Sequence, residues 1–112
     1  MKKLFYSVMI YLSLLGCLCS CKEETIKVDY ENAIVYEKAL NEGVDTVGKL
    51  VKFTVDELNP NSSFGYNIYA GEHLNFVSST NPHVKVGDEM IVEILDVTTF
   101  LRSYIIKYDK LR

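Results

Sequence analysis

The sequence predicts a mainly β domain with one N-terminal helix, an α+β fold built on a small five-stranded antiparallel barrel. From Val47 onward, apolar residues alternate with polar ones, which is the period of strands that bury one face. Clusters rich in Gly, Asn and Pro divide this alternation into segments of strand length. Between Asp29 and Gly43, the apolar spacing is that of a helix instead.

The helix is predicted from its two ends and from its apolar face. Asp29 can accept hydrogen bonds from the free amides of a helix start, Glu31 suits the positive end of the helix dipole, and Gly43 supplies the stop. Glu37 and Asn41 interrupt a face that we expect to pack on the sheet. The members of that face are Tyr30, Ala33, Ile34, Tyr36 and Leu40.

Five strands are expected to follow the helix. In the first, Val51, Phe53 and Val55 alternate with polar residues and should point inward. Residues 59–63 are predicted to form a turn, because Asn, Pro and Ser favour turns. The remaining strands are predicted at 65–70, 73–78, 90–97 and 103–108. The core positions that we predict from this alternation are Phe53, Phe76 and Ile94.

Residues 1–16 have the order of a bacterial signal peptide. Lys2 and Lys3 precede an uncharged apolar run, which ends in Leu14-Leu15-Gly16 directly before Cys17. This order resembles the lipobox of bacterial lipoproteins, and the resemblance implies cleavage before Cys17 and acylation of that cysteine with diacylglycerol and a fatty acid such as palmitate. Cys21 also follows a small residue and is the alternative acylation site. An uncleaved membrane anchor is the other interpretation of this stretch.

The chain therefore divides into a signal peptide at 1–16, a lipid-anchored tether at 17–28 and a folded domain at 29–112. All three cysteines precede the domain, so we expect it to lack disulfides, a Cys-ligated metal site and a thiol nucleophile. The net charge of −3 becomes −5 once Lys2 and Lys3 leave with the signal peptide. Because polyanions are bound by clustered Lys and Arg, this charge disfavours nucleic acid as a partner.

Two sequence segments resemble a known group of domains. Tyr30-Glu31-Asn32-Ala33 running into Val47-Gly48-Lys49-Leu50-Val51-Lys52-Phe53, with a later Val86-Gly87-Asp88 turn, resembles small bacterial OB-fold lipoprotein domains of the tRNA-anti-like type. The resemblance covers about residues 29–110. It implies a barrel that binds ligands on the face of its second and third strands. A standard OB-fold carries a helix between its third and fourth strands, where this chain has only residues 79–86.

The candidate binding residues are an aromatic ring and two amides. If Tyr66 and Ile68 point into the core, alternation turns Asn67 and Tyr69 outward, beside Asn75 on the next strand. A ring flanked by amides could hold a sugar or an extended peptide. We therefore predict a non-catalytic binding or accessory module on the outer face of the cell membrane, with an envelope protein, peptide or glycan as its partner.

Catalytic signals in the sequence are weak. Glu72 adjoins His73, and His83 is the other histidine, but no Ser-His-Asp order, metal-spaced pair or glycine-rich phosphate loop accompanies them. We expect no catalysis, no metal and no cofactor. The alternatives are an oligonucleotide-binding OB domain and a small hydrolase that uses Glu72 and His73.

The lipid anchor is tested by fatty-acid labelling in cells. Wild-type protein should incorporate labelled fatty acid, and Cys17→Ser should lose the label and accumulate as unprocessed precursor, because the acylated thiol is gone. Loss of label in Cys21→Ser alone would move the site to Cys21. Label that survives both substitutions would contradict the lipoprotein interpretation.

Overall fold

The computed structural model describes residues 26–112, which form one helix and a six-stranded sheet. The predicted signal peptide, both candidate acylation sites (Cys17 and Cys21) and residues 17–25 of the predicted tether lie outside the described residues. Within residues 26–112, no helix has the length and apolarity that crossing a bilayer requires.

The helix and strands follow one another along the chain. The helix, α1, spans Ala33–Asn41, and the strands are β1 Leu50–Thr54, β2 Glu57–Ser62, β3 Gly65–Ala70, β4 Leu74–Ser78, β5 Glu89–Phe100 and β6 Ser103–Lys110. The sheet order is β1-β5-β6-β4-β3-β2, and β4 with β6 is the parallel pair of this described sheet. The predicted mainly β fold with one helix is confirmed, but the predicted number of five strands was wrong.

The additional strand is β2, which occupies a segment that the sequence predicts as a turn. It pairs with β3 from Glu57↔Tyr69 to Asn59↔Asn67, before the register shifts. β2 is the last strand in the sheet order, and proline is tolerated on such an edge, where its missing N–H costs no ladder hydrogen bond. Pro60 is therefore compatible with this strand.

The sheet is curled because its two outermost strands are neighbours in the chain. Only Val55 and Asp56 separate β1 from β2. The Val55 N–H donates to the Asp88 carbonyl and the Asp56 N–H to the Tyr69 carbonyl, both at 2.9 Å. Because three Cα steps cover at most about 11 Å, the two ends of the sheet must lie close together. The result is a half-barrel that encloses the core.

Aromatic rings fill the centre of this half-barrel. Phe53 of β1 stacks on Phe76 of β4 with ring centroids 4.1 Å apart and planes 6° from parallel. Tyr36 of α1 and Tyr108 of β6 add contacts to Phe76 at 6.3 and 6.1 Å. Phe53, Phe76 and Ile94 are 1%, 0% and 0% exposed, so the predicted core positions are confirmed.

The helix begins later than its predicted start. Asn32 is the N-cap, because its Oδ1 accepts a hydrogen bond from the Val35 N–H at 2.9 Å. Asp29, which the sequence predicts as the cap, instead accepts from the Leu50 N–H with Oδ2 at 2.9 Å. It therefore ties the segment before α1 to the start of β1, where Tyr30 also bridges to Val51.

The buried face of α1 also differs from its prediction. Ile34 is 76% exposed, whereas Glu37, which interrupts the predicted face, is buried. The predicted stop is confirmed: Gly43 has φ +81°, its N–H donates to the Leu40 carbonyl, and the Val44 N–H reaches back to the Ala39 carbonyl. These two hydrogen bonds form a Schellman motif, which needs a residue in the left-handed conformation that glycine adopts most easily.

The aromatic stack is tested by truncating one of its rings. Phe53→Ala should lower the free energy of unfolding by about 3 to 5 kcal/mol, since it removes a fully buried ring and leaves a cavity. Ile34→Ala is the control and should change stability by less than about 0.5 kcal/mol, because Ile34 is exposed. Urea denaturation followed by circular dichroism measures both. Equal midpoints for Phe53→Ala and wild type would contradict the inward position of Phe53.

Candidate functional site

The three predicted binding residues lie together on the outer face of β3 and β4. Tyr69 of β3 is opposite Asn75 of β4, and Asn67 is in the next outward position along β3. The inward pair between them is Ile68 opposite Phe76, both completely buried. Strand alternation and this register therefore bring the ring and the two amides to one side of the sheet.

The two amides are buried, although the sequence predicts that they point outward. Asn67 is 2% exposed and Asn75 is 6% exposed, whereas Tyr69 is partly exposed. Val77 and Ile105 lie on the same outer face and are buried too. Alternation fixes the side of the sheet that a residue faces, but it says nothing about what covers that side. Strand alternation therefore does not predict the burial of the two amides.

The Asn67 side chain has hydrogen-bond partners for both its oxygen and its nitrogen, whereas within residues 26–112 the Asn75 side chain has an oxygen without one. Asn67 donates from Nδ2 to the Tyr69 hydroxyl at 3.2 Å and accepts from the Ser62 hydroxyl at 2.7 Å. Asn75 Oδ1 is buried and has no hydrogen-bond partner among the described residues. A buried acceptor without a donor costs about 1 to 3 kcal/mol.

Two hairpin tips meet beside this outer face. Phe64, in the β2–β3 turn, contacts Phe100 at the end of β5 edge to face, with ring centroids 5.8 Å apart. Phe64 also lines a groove together with Val77 and Lys107, which point outward from β4 and β6. An aromatic pair of this kind contributes about 0.5 to 1.5 kcal/mol beyond its buried area. The ring contact and the apolar area that it buries therefore both hold the two tips together.

The turn between β5 and β6 holds two residues in an unfavourable backbone conformation. Leu101 has φ +49° and Arg102 has φ +71°. Two-residue hairpin turns of this hand favour Asn-Gly, and a residue with a Cβ atom costs about 1 to 2 kcal/mol there. Leu101 is also 80% exposed. The tip beside Phe100 thus presents an apolar side chain on a strained turn.

A second cluster joins α1 to the β3–β4 turn. Glu37 Oε2 lies 2.6 Å from His73 Nδ1, and Oε1 accepts from the N–H groups of Glu72 and His73 at 2.9 and 3.2 Å. Burial opposes ionisation of Glu37, but the hydrogen bonds from His73 and from the two amides together lower its pKa. The sequence points to Glu72 and His73 but not to Glu37, whose one signal is a charge on the predicted apolar face.

Glu37, Glu72 and His73 form a cluster that we call the clamp, because its hydrogen bonds hold α1 against the β3–β4 turn. Its three side chains place ligand atoms within 4.8 Å of one another, and a carboxylate on Nδ1 is the arrangement that orients a histidine base or metal ligand. However, both Glu37 oxygens already accept hydrogen bonds, and among residues 26–112 no hydroxyl or thiol hydrogen-bonds to His73. Gly71 makes the close approach possible, since a Cβ atom there would lie 2.7 Å from Glu37 Oε1.

The chain matches no protein-family model, no curated protein and no solved structure. Function is therefore inferred from the positions of the described side chains.

The hydrogen bonds of Glu37 make the free energy of unfolding depend on pH in the acid range. The pKa of Glu37 is lowered in the folded state, so its contribution is complete above the ordinary glutamate pKa and is lost as pH falls through the lowered value. Glu37→Gln should lower the free energy of unfolding by about 2 kcal/mol at neutral pH, because hydrogen bonds to an ionised group are lost. The difference in free energy of unfolding between wild type and Glu37→Gln should become smaller at acid pH.

Urea denaturation across pH measures this effect. Glu42→Gln is the matched control, because Glu42 is exposed and its 4.0 Å contact with Lys38 lies on the helix surface. A gap between wild type and Glu37→Gln that stays constant down to strongly acid pH would show that the charge of Glu37 does not stabilise the turn.

Proposed function

We propose that the chain is an extracytoplasmic lipoprotein, anchored to the cell membrane through Cys17 or alternatively Cys21, whose domain is a non-catalytic binding or accessory module. Its partner is an envelope protein, peptide or glycan. The observation that carries this proposal is the outer face of β3 and β4, where Tyr69 lies opposite Asn75 and the Asn75 Oδ1 atom has no donor among the described residues.

The sheet topology supports an OB-like interpretation of the domain. If β1 and β2 are counted as two halves of one bent strand, the half-barrel has five strands, and the bent strand pairs with β5 through one half and with β3 through the other. OB barrels bind ligands on the face of their second and third strands, between the first and last hairpin loops. Those strands correspond to β3 and β4, and those loops to the tips carrying Phe64 and Phe100.

The chemistry of this face favours an uncharged contact. The Tyr69 ring offers an apolar surface with a polar end, and Asn67 holds its hydroxyl in place. The Asn75 carbonyl is buried in the free domain and can accept from a sugar hydroxyl or a peptide N–H once binding uncovers it. Because the contact needs no charge pair, binding should change little with salt concentration.

The two alternative functions have less support. Oligonucleotide binding depends on clustered Lys and Arg, and the exported part of the chain carries a net charge of −5. Hydrolysis through Glu72 and His73 needs a nucleophile, and within residues 26–112 the hydrogen bonds of the His73 ring and amide go to Glu37. These observations favour a binding module.

The proposed face is tested with the full-length protein in detergent, tagged and mixed with envelope extract. Tyr69→Ala should lose a partner that wild type retains at low and at high salt, because the ring is the main contact area. Tyr69→Phe keeps the ring and should retain most binding, and Ile34→Ala controls for exposed residues elsewhere. Strong salt dependence, or normal binding by Tyr69→Ala, would contradict a neutral site on this face.

A further inference from the structure

β4 and β6 run side by side and then separate, so that among the described residues the C-terminal end of β6 has no strand beside it on that edge. Their parallel pairing ends at Val77↔Lys107. β4 stops at Ser78 and the chain turns away, whereas β6 continues to Lys110. Within the described chain, residues 108–110 are paired with β5 alone. Alternate residues of a strand direct their N–H and C=O groups to opposite edges, so part of this stretch faces the space that β4 has left.

A groove of about 700 Å³ lies at this point. Residues 77–83 form one wall and residues 107–110 form the other. Its volume is within the range of ordinary ligand sites. The groove therefore has room for a segment of another molecule beside the unpaired edge of β6.

Two exposed apolar side chains enter the groove from other parts of the sheet. The register of β5 shifts between Ile94 and Asp96, which leaves Leu95 as the bulged residue without a partner on β6. Bulges redirect side chains in this way. Leu95 and Phe64 both line the groove and both are exposed. They provide apolar contacts to a ligand in the groove.

The groove also gathers positive charge in an acidic domain. Lys107 and Lys110 line it, with Asp109 as the one carboxylate of that lining and His83 exposed on the opposite wall. The ion pairs of residues 26–112 join Lys38 to Glu42, Lys52 to Glu31 and His73 to Glu37. Neither groove lysine takes part in them, so both are available to carboxylates of a ligand.

We propose that this groove binds an extended peptide segment with acidic and apolar side chains, which adds as a strand beside residues 108–110 of β6. Strand addition draws affinity from main-chain hydrogen bonds and specificity from contacts to alternate side chains. Lys107 pairs with the carboxylates that the peptide presents on the outer face, Lys110 adds positive charge at the end of the strand, and Leu95 and Phe64 contact the apolar side chains. The inference rests on the proposed binding function, to which it adds a partner class and a second surface.

Synthetic peptides of about eight residues, the length of a strand, test the proposal by fluorescence anisotropy with the full-length protein in detergent. A peptide of alternating Val and Glu should bind about tenfold more tightly than one of alternating Val and Lys. The same Val-Glu peptide with N-methyl groups on alternate amides should bind more weakly, because it cannot form the main-chain hydrogen bonds of a strand.

Matched variants separate this groove from the Tyr69 face. Lys107→Gln with Lys110→Gln should weaken binding of the Val-Glu peptide about tenfold. Lys49→Gln with Lys85→Gln is the control of equal charge and should bind normally, as should Tyr69→Ala. Equal affinity for the Val-Glu and Val-Lys peptides, no effect of N-methylation, or normal binding by the groove variant would each overturn the proposal. Loss of the envelope partner in Tyr69→Ala would still support the proposed function in those cases.

Discussion

The stacking of Phe53 on Phe76 holds the sheet in its curved form. These rings belong to β1 and β4, which are separated by β5 and β6 in the sheet order. In a flat sheet the two strands would be about 14 Å apart, because neighbouring strands are spaced by about 4.8 Å. The observed centroid distance of 4.1 Å is possible only across a curled sheet. Burial of both rings therefore offsets the cost of bending the sheet and ordering its strands.

Because the interior of the half-barrel is aromatic, the polar groups of the two proposed binding surfaces lie on the outside of the sheet. Polar groups suited to binding lie on the outer face of β3 and β4 and along the free edge of β6, and the hairpin tip carrying Phe64 lies close to both. The clamp between Glu37 and the β3–β4 turn fixes α1 against the same two strands from one end. The core thus acts as a rigid support, and the surfaces that differ in charge and shape are carried by loops, edges and tips.

Sequence patterns predicted the features that depend on near neighbours in the chain. Alternation placed Phe53 and Phe76 inside and Tyr69 outside, because the side-chain period of a strand is local. Features that depend on distant contacts were missed. β2 is a strand because β3 pairs with it, Asn67 is buried because other parts of the fold cover its face, and Glu37 finds its partner 36 residues away in His73. Turn propensity and amphipathicity depend only on residues that are close together in the chain. They therefore cannot predict contacts with distant segments.

The long stretch of chain between β1 and its partner β5 limits the order in which the sheet can form. β1 is synthesised early, but its partner in the sheet is β5. Leu50 therefore cannot pair until Glu93 has been synthesised. Pairings between distant segments form slowly, and synthesis proceeds from the N-terminus. Until β5 and β6 are available, β1 keeps an unpaired edge and an apolar side that other chains can contact. Closing the sheet is therefore a late step, and in a chain that stops before β5 the β2–β3–β4 pairings can form but β1 lacks its partner in the sheet.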